Sequence, residues 1–327
     1  MEKIIKQGFS RYNNVFRRII LLVLALVTAS LCVRAQYDPS FSHYWAMEPS
    51  FNPAAAGKES KLNVAAAYNM TMAGFKRNPR TMYISGDMPF YAFRSYHGVG
   101  LQIVNDEIGL FSHKKLSAQY AFKRRVLGGM LSLGVQAGLL TENMDGSDLD
   151  LDEAGDPAFS TSEVNGNGFD LGAGIYYNYR NIWYVGASAQ HLTAPTIDLG
   201  ETNELSISRS YYFTAGYNIR LRNPFFTIQT SLLGRSDGVA YRGDLTARVR
   251  YTHEEKMMYA GLSYSPTNSV TLLLGGHFHG VVVGYSYEAY TGAISLGNGS
   301  HELFVGYQTD INLYKKGRNK HQSVRIL

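Results

Sequence analysis

The chain has 327 residues, 45% hydrophobic and only 17% charged, with 24 Tyr and 33 Gly against a single Cys. That balance excludes the Leu-, Ala-, Glu- and Lys-rich make-up of an ordinary soluble α/β enzyme; it suits short strands whose rings sit at a polar–apolar boundary. The formal charge of +5 is no sign of nucleic-acid binding: six of 31 basic residues and one of 26 acidic ones fall in the first 35 positions, and the rest balance to zero.

Those first 35 residues read as a signal peptide. A basic stretch to Arg18 is followed by the apolar run 19–27, and Val33-Arg34-Ala35 then offers a cleavage site before Gln36. The run is shorter than the ~20 apolar residues a spanning helix needs. Cys32 lies inside the leader behind Leu31, a poor neighbour for lipid attachment, so cleavage after Ala35 leaves a mature chain without cysteine. Such a chain suits an oxidising compartment and uses no disulfide framework.

Residues 36–60 show no alternation, two Pro turns and many aromatics. They are too apolar for a soluble linker and precede the first strand. We expect them to fold into the periplasmic mouth of a barrel as a plug, with Tyr37, Phe41, Tyr44 and Phe51 against the lumen wall and Asn52-Pro53 setting a turn. A disordered N-terminal leader is the alternative.

From Lys61 onward short alternation recurs. Leu131, Leu133, Val135, Ala137 and Leu139 interleave with Ser132, Gly134, Gln136 and Gly138; Phe169 to Tyr179 behaves likewise. Period two with one apolar face predicts strands half exposed to something apolar. Lengths near ten residues match the ~9–11 needed to cross a bilayer at a tilt, whereas globular strands more often stop at about 5–6. About fourteen strands are predicted, beginning near Lys61, Arg80, His97, His113, Met130, Gly168, Ile182, Ser208, Pro224, Tyr241, Lys256, Ser269, Val281 and Ser300. With a periplasmic N-terminus the long connections, 142–167, 193–207 and 234–240, fall outside, and tight ones such as Arg180-Asn181 fall inside. Connection 89–96 is long for an inner turn, and 266–268 short for an outer loop. In hydrocarbon every backbone N–H and C=O needs an internal partner, so the sheet must close. The predicted fold is an all-β transmembrane antiparallel barrel over residues 61–311, embedded in outer-membrane lipid.

Several polar clusters invite a site. The loop 145–156 places Asp148, Asp150 and Asp152 at alternating positions that could offer oxygen ligands to Ca²⁺. It lacks the Gly and terminal Glu of an EF-hand loop, and a solvated acidic loop is the favoured reading. His277 and His279 stand two apart on one strand, a spacing open to a metal, although His is an ordinary residue near an interfacial turn. Asp87, Asp106 and Glu107 read as lumen or loop polar groups. No nucleophile–base order, paired-carboxylate signature or phosphate loop appears, so we expect no catalytic residues, no cofactor and no enzymatic activity. The tail 312–327 carries Lys315, Lys316 and Arg318 without an acid and should hang in the periplasm, either as a mobile terminus or docking on an acidic partner.

The residues Gln36-Tyr37-Asp38-Pro39-Ser40-Phe41-Ser42-His43-Tyr44 and Phe51-Asn52-Pro53-Ala54-Ala55-Ala56-Gly57 resemble the start of the mature PorP/SprF family. Pro79-Arg80-Thr81, Asn105-Asp106-Glu107-Ile108-Gly109, Gly284-Tyr285-Ser286-Tyr287-Glu288 and Gly299-Ser300-His301-Glu302-Leu303 match further family elements in order. Glu288 replaces the family's Asp, and Trp45-Ala46-Met47 departs from a more Phe- and Leu-rich stretch. The resemblance implies an outer-membrane component of the type IX secretion system, linked in some members to gliding motility. It also implies periplasmic ring proteins and, in some branches, exported cargo as partners. The runner-up is a transport channel for hydrophobic or small solutes, which would need an open lumen.

Overall fold

Fourteen strands close into one antiparallel barrel in a computed structural model that describes residues 38–145, 163–200, 203–254, 256–292 and 298–311. The chain-order strands are β1 (Lys61–Met70), β2 (Arg80–Ala92), β3 (Ser95–Ile108), β4 (Phe111–Val126), β5 (Gly129–Asp145), β6 (Glu163–Tyr179) and β7 (Trp183–Gln190). A two-stranded hairpin, β8 (Thr196–Leu199) with β9 (Asn203–Ser206), is a separate sheet that packs on the wall, Ile197 against Leu140. The wall resumes with β10 (Ser210–Arg220), β11 (Phe226–Ser236), β12 (Tyr241–His253), β13 (Lys256–Ser265), β14 (Ser269–Phe278), β15 (Val281–Tyr290) and β16 (Ser300–Asp310). Each strand pairs with its neighbour, and β1 closes on β16 from Lys61↔Asp310 to Met70↔His301. No edge is left.

The alternation explains why this sheet closes and where it sits. Outward positions carry large apolar side chains that remain bare: Leu101, Met258 and Leu274 are 62%, 64% and 58% exposed. A band of that size is stable only against lipid. Exposed rings flank it, with Tyr91, Phe93, Tyr217 and Phe278 at one end and Tyr211, Phe213, Tyr241 and Tyr264 at the other. That is the double girdle of an outer-membrane barrel. No helix among the described residues is long and apolar enough to cross a membrane; the strands do the crossing.

Connections differ between the two ends. At the end where β1 begins they are tight, and several hold two successive positive-φ residues: Phe93-Arg94, Leu127-Gly128, Arg180-Asn181 and His279-Gly280. Paired left-handed residues match the right-handed twist of the flanking strands. Pro89 lies inside β2 opposite Gly98, so the long connection expected at 89–96 contracts to Phe93-Arg94. The opposite end carries the longer links, including the one holding the hairpin.

One sequence reading changes here. His279 is not on a strand face with His277; β14 ends at Phe278, and His279 sits in the turn with φ 49°. No group of three or more metal-ligating side chains occurs among the described residues. The acidic positions Asp148, Asp150 and Asp152 lie outside the described residues.

Candidate functional site: the occupied lumen

Residues 38–60 lie inside the barrel and are held there by the wall. Two short 3-10 turns, Glu48–Ser50 and Pro53–Ala55, fold the segment back on itself. Asn52 caps the second: its Oδ1 accepts from Ala54 N at 3.0 Å while its Nδ2 donates to Ile175 O at 3.1 Å. A side-chain oxygen satisfying the free N–H groups of a first turn is what makes Asn a favoured cap.

The wall supplies partners to the segment's backbone around much of the ring. Asn69 Nδ2 donates to Ser40 O at 2.9 Å, and Gln119 Nε2 donates to Pro49 O at 2.6 Å. Phe51 O accepts from Ser188 Oγ at 2.7 Å and Gln190 Nε2 at 2.9 Å. Asp87 accepts from Gly57 N at 2.7 Å. Glu302 accepts from Ser42 N at 2.7 Å, His43 N at 3.0 Å and His43 Nδ1 at 2.6 Å. Irregular backbone at membrane depth is tolerated where protein satisfies its polar groups, and here protein does.

Apolar contacts complete the seat. Phe41 and Met47 pack with Tyr83, Val104 and Phe304; Tyr44 and Phe51 pack with Tyr212 and Leu233; Ala54 and Ala55 lie on Tyr176. Three inward glycines make room for this. A Cβ on Gly98 would lie 2.0 Å from Ala56 O, one on Gly134 2.1 Å from Ala54 N, and one on Gly174 2.1 Å from Asn52 Oδ1. The segment touches bare backbone at all three.

The segment reaches deeper than a mouth plug. Asp38 lies beyond the lumen's middle, against the loop that follows β7. His191 Nε2 donates to Asp38 Oδ1 at 2.9 Å, and Tyr212 Oη donates to Asp38 Oδ2 at 2.5 Å. His191 Nδ1 also stands 3.2 Å from the buried carboxylate of Asp170. Burial works against the charged form of Asp38, but His191, Lys115 and the Tyr212 bond outweigh it and hold the carboxyl far below its usual range. Burial likewise opposes the His191 imidazolium, yet Asp38 and Asp170 raise its pKa to about 9.

These shifts have a definite sign. The His191 contribution is whole below its unperturbed value of about 6.5 and is lost as pH rises through about 9. The Asp38 contribution is present above its ordinary value of roughly 4 and is lost only in strong acid. The seat is therefore firmest near pH 4–6.5 and loosens toward alkali. Subtilisin cutting within residues 38–60, normalised to an unfolded substrate at each pH, should rise several-fold between pH 6 and 9.5. A flat profile would rule this account out.

Beside the segment, amides of the wall are linked to one another. Gln102 and Gln119 donate to Gln136 Oε1 at 3.0 and 2.8 Å, and Gln136 donates to Gln190 Oε1 at 2.8 Å. A void of about 50 Å³ is left beside Asp38, Phe41 and Tyr44. On the short-turn side the lumen opens as a vestibule of about 870 Å³ whose floor includes Trp45, Met47, Pro49 and Ala55.

The sequence matches the family described as Type IX secretion system membrane protein PorP/SprF over residues 33–307. The chain belongs to the PorP/SprF family. Among solved structures, this PorP/SprF barrel is similar to the CymD monoaromatic hydrocarbon channel, with 10% identity, 86% of this chain and 96% of that chain covered, and a TM-score of 0.49. It is also similar to the Pseudomonas putida toluene transporter TodX, at 10% identity, 84% and 95% coverage and a TM-score of 0.47. No curated protein sequence matches it.

Of the residues singled out in this PorP/SprF sequence, Phe41, Tyr44, Phe51, Asn52 and Pro53 meet inside the lumen and are buried. Tyr37, Lys315, Lys316 and Arg318 lie outside the described residues. Sequence reasoning missed Glu302, His191 and the inward glycines. Glu302 was visible as part of Gly299-Ser300-His301-Glu302-Leu303, and the glycines as small residues on the inward phase.

Proposed function

We propose that this protein is a plugged, non-enzymatic outer-membrane component of the type IX secretion machine, which docks periplasmic ring proteins or cargo on its short-turn face. Membership of the PorP/SprF family supports a place in that machine. The observation that carries the docking reading is the occupied lumen: residues 38–60 are tied to the wall by backbone hydrogen bonds to Asp87 and Glu302. A solute channel for hydrophobic or small molecules would need the path that this segment fills. We assign residues 1–35 to a cleaved export signal, residues 36–60 to the plug, and the basic tail with Lys315, Lys316 and Arg318 to the periplasmic docking face. Tight turns on the periplasmic side and longer links outside are the usual orientation of such barrels.

The test is mild-detergent purification of the full chain with mass spectrometry, alongside conductance in planar bilayers. Recovery of periplasmic ring proteins and silent bilayers are expected. Robust conductance with no ring protein recovered would favour the channel instead.

A further inference from the structure

The wall of the short-turn vestibule holds polar groups that have nothing to bind. Arg248 is 5% exposed, and its Nε has no hydrogen-bond partner. The Nε of Arg250, the Oη of Tyr259, the Nε2 of His277 and the Nε1 of Trp45 are also buried without a partner. All five residues line the same cavity. Arg248 and Arg250 are two apart on β12 and so share a face. Arg250 is in register with Tyr259 on β13, and His277 on β14 is in register with Met257, two residues before it.

Lys123 Nζ is a further buried cation without a hydrogen-bond partner, but two other lumen arginines are answered. Arg235 and Arg242 have carboxylates: Arg235 Nη2 meets Asp244 at 2.9 Å, and Arg242 meets Asp244 at 3.0 Å and Glu288 at 2.9 Å. Neither Arg248 nor Arg250 forms an ion pair among the described residues. A buried cation left without an anion is costly. Arg248 has a ring instead, its Cζ lying 3.3 Å from the centroid of Trp45. That contact offsets part of the desolvation and leaves the guanidinium N–H groups unanswered.

The wall is shaped to hold these groups still. A Cβ on Gly261 would stand 2.5 Å from Arg248 Cγ, and one on Gly275 would stand 2.3 Å from Tyr259 Oη. Glycine at both positions lets the two side chains lie flat along the strands. Asn63 lines the same cavity with its Oδ1 buried and unpartnered, and Asn218 and Gln229 line it bonded to each other. Amide side chains offer both donors and acceptors, the pairing that peptide groups require.

We infer that the vestibule receives an extended acidic peptide segment of a periplasmic partner, one carboxylate of which is taken by Arg248 and Arg250. The inference rests on the docking reading above and names the chemistry of what docks. Two guanidinium groups on one face suit a carboxylate's two oxygens, and the amides beside them suit the peptide backbone that delivers it.

Trp45 makes the site visible. The chain has two Trp, so the Trp183→Phe background leaves Trp45 as the sole indole beside Arg248. The full chain in detergent is titrated with acetyl-Gly-Ser-Asp-Asp-Ser-Gly-amide, with the same peptide carrying Asn for Asp, and with inorganic phosphate. Expected is a saturable fluorescence change with the acidic peptide, binding at least tenfold weaker for the neutral peptide, and weakening of tenfold or more in Arg248→Gln. Arg250→Gln lies nearer the rim and carries the test if Arg248→Gln loses the heat-modifiable gel mobility of a folded barrel. No saturable response, equal binding of both peptides, or displacement of the acidic peptide by an equal concentration of phosphate would overturn the inference. The titration contains no ring protein, so its failure beside a successful co-purification removes the peptide site and leaves docking intact.

Discussion

Gly134→Val should convert a silent barrel into a conducting one, with residues 38–60 open to protease while the wall stays closed. Gly134 sits mid-strand in β5, opposite Ala121 and Gly174, with no positive φ. A β-branched residue is at home in that backbone. The obstacle is the segment. A Cβ at Gly134 would lie 2.1 Å from Ala54 N, 2.4 Å from Pro53 C and 2.5 Å from Ala54 Cα. Those are backbone atoms, so no rotamer change clears them, and overpacking of this kind costs typically 1–3 kcal/mol or more. Gly98, where the contact is Ala56 O at 2.0 Å, offers the same test from β3, and the double variant should be stronger. Gly243→Ala is the control, since its Cβ would meet nothing within 4 Å. Single-channel steps in the Gly134 variant are expected against none in the parent. A silent, protease-resistant variant would mean that the segment does not depend on this contact.

Strand positions were legible because each strand faces two different surroundings. Lipid selects apolar residues at every second position, and the lumen tolerates small polar ones at the others, so period two survives along β4, β5 and β6. Starts predicted at Lys61, Arg80, Tyr241, Lys256, Ser269, Val281 and Ser300 coincide with those of β1, β2, β12, β13, β14, β15 and β16. The hairpin β8–β9 was not legible: its strands are four residues long, too short to show a period. Depth was also hidden. Aromatics and Pro turns signalled that residues 36–60 pack against something, but nothing local says that Asp38 pairs with His191, 153 positions away. The same holds for the vestibule. Alternation places Arg242, Arg248 and Arg250 on the inward face alike, and only the assembled ring reveals that the first forms ion pairs while the Nε of each of the others is buried without a partner. Inward phase is a local property, whereas partnership is a property of closure.

Glu302→Ala should release the N-terminal segment as surely as the glycine variant, by subtracting acceptors instead of adding bulk. Glu302 is 2% exposed and takes Ser42 N on one oxygen and His43 N with His43 Nδ1 on the other. Truncation strands two backbone N–H groups and an imidazole that is itself fully buried and stacked on Phe304. Each stranded donor costs roughly 1–3 kcal/mol, so a loss on the order of 3–5 kcal/mol in seating is expected, the range for a broken buried pair. Hydrogen exchange at Ser42 and His43 reads it directly, and should accelerate by a hundredfold or more. Glu302→Gln keeps one acceptor oxygen and should fall between the two. The wall should not follow, because β16 closes on β1 through ten backbone register pairs that do not involve the carboxylate. Heat-modifiable mobility should therefore persist while protection of the segment collapses. If instead mobility and protection were lost together, the segment would be part of what closes the ring. If protection stayed unchanged in Glu302→Ala, the buried carboxylate would not be what holds the chain in the lumen.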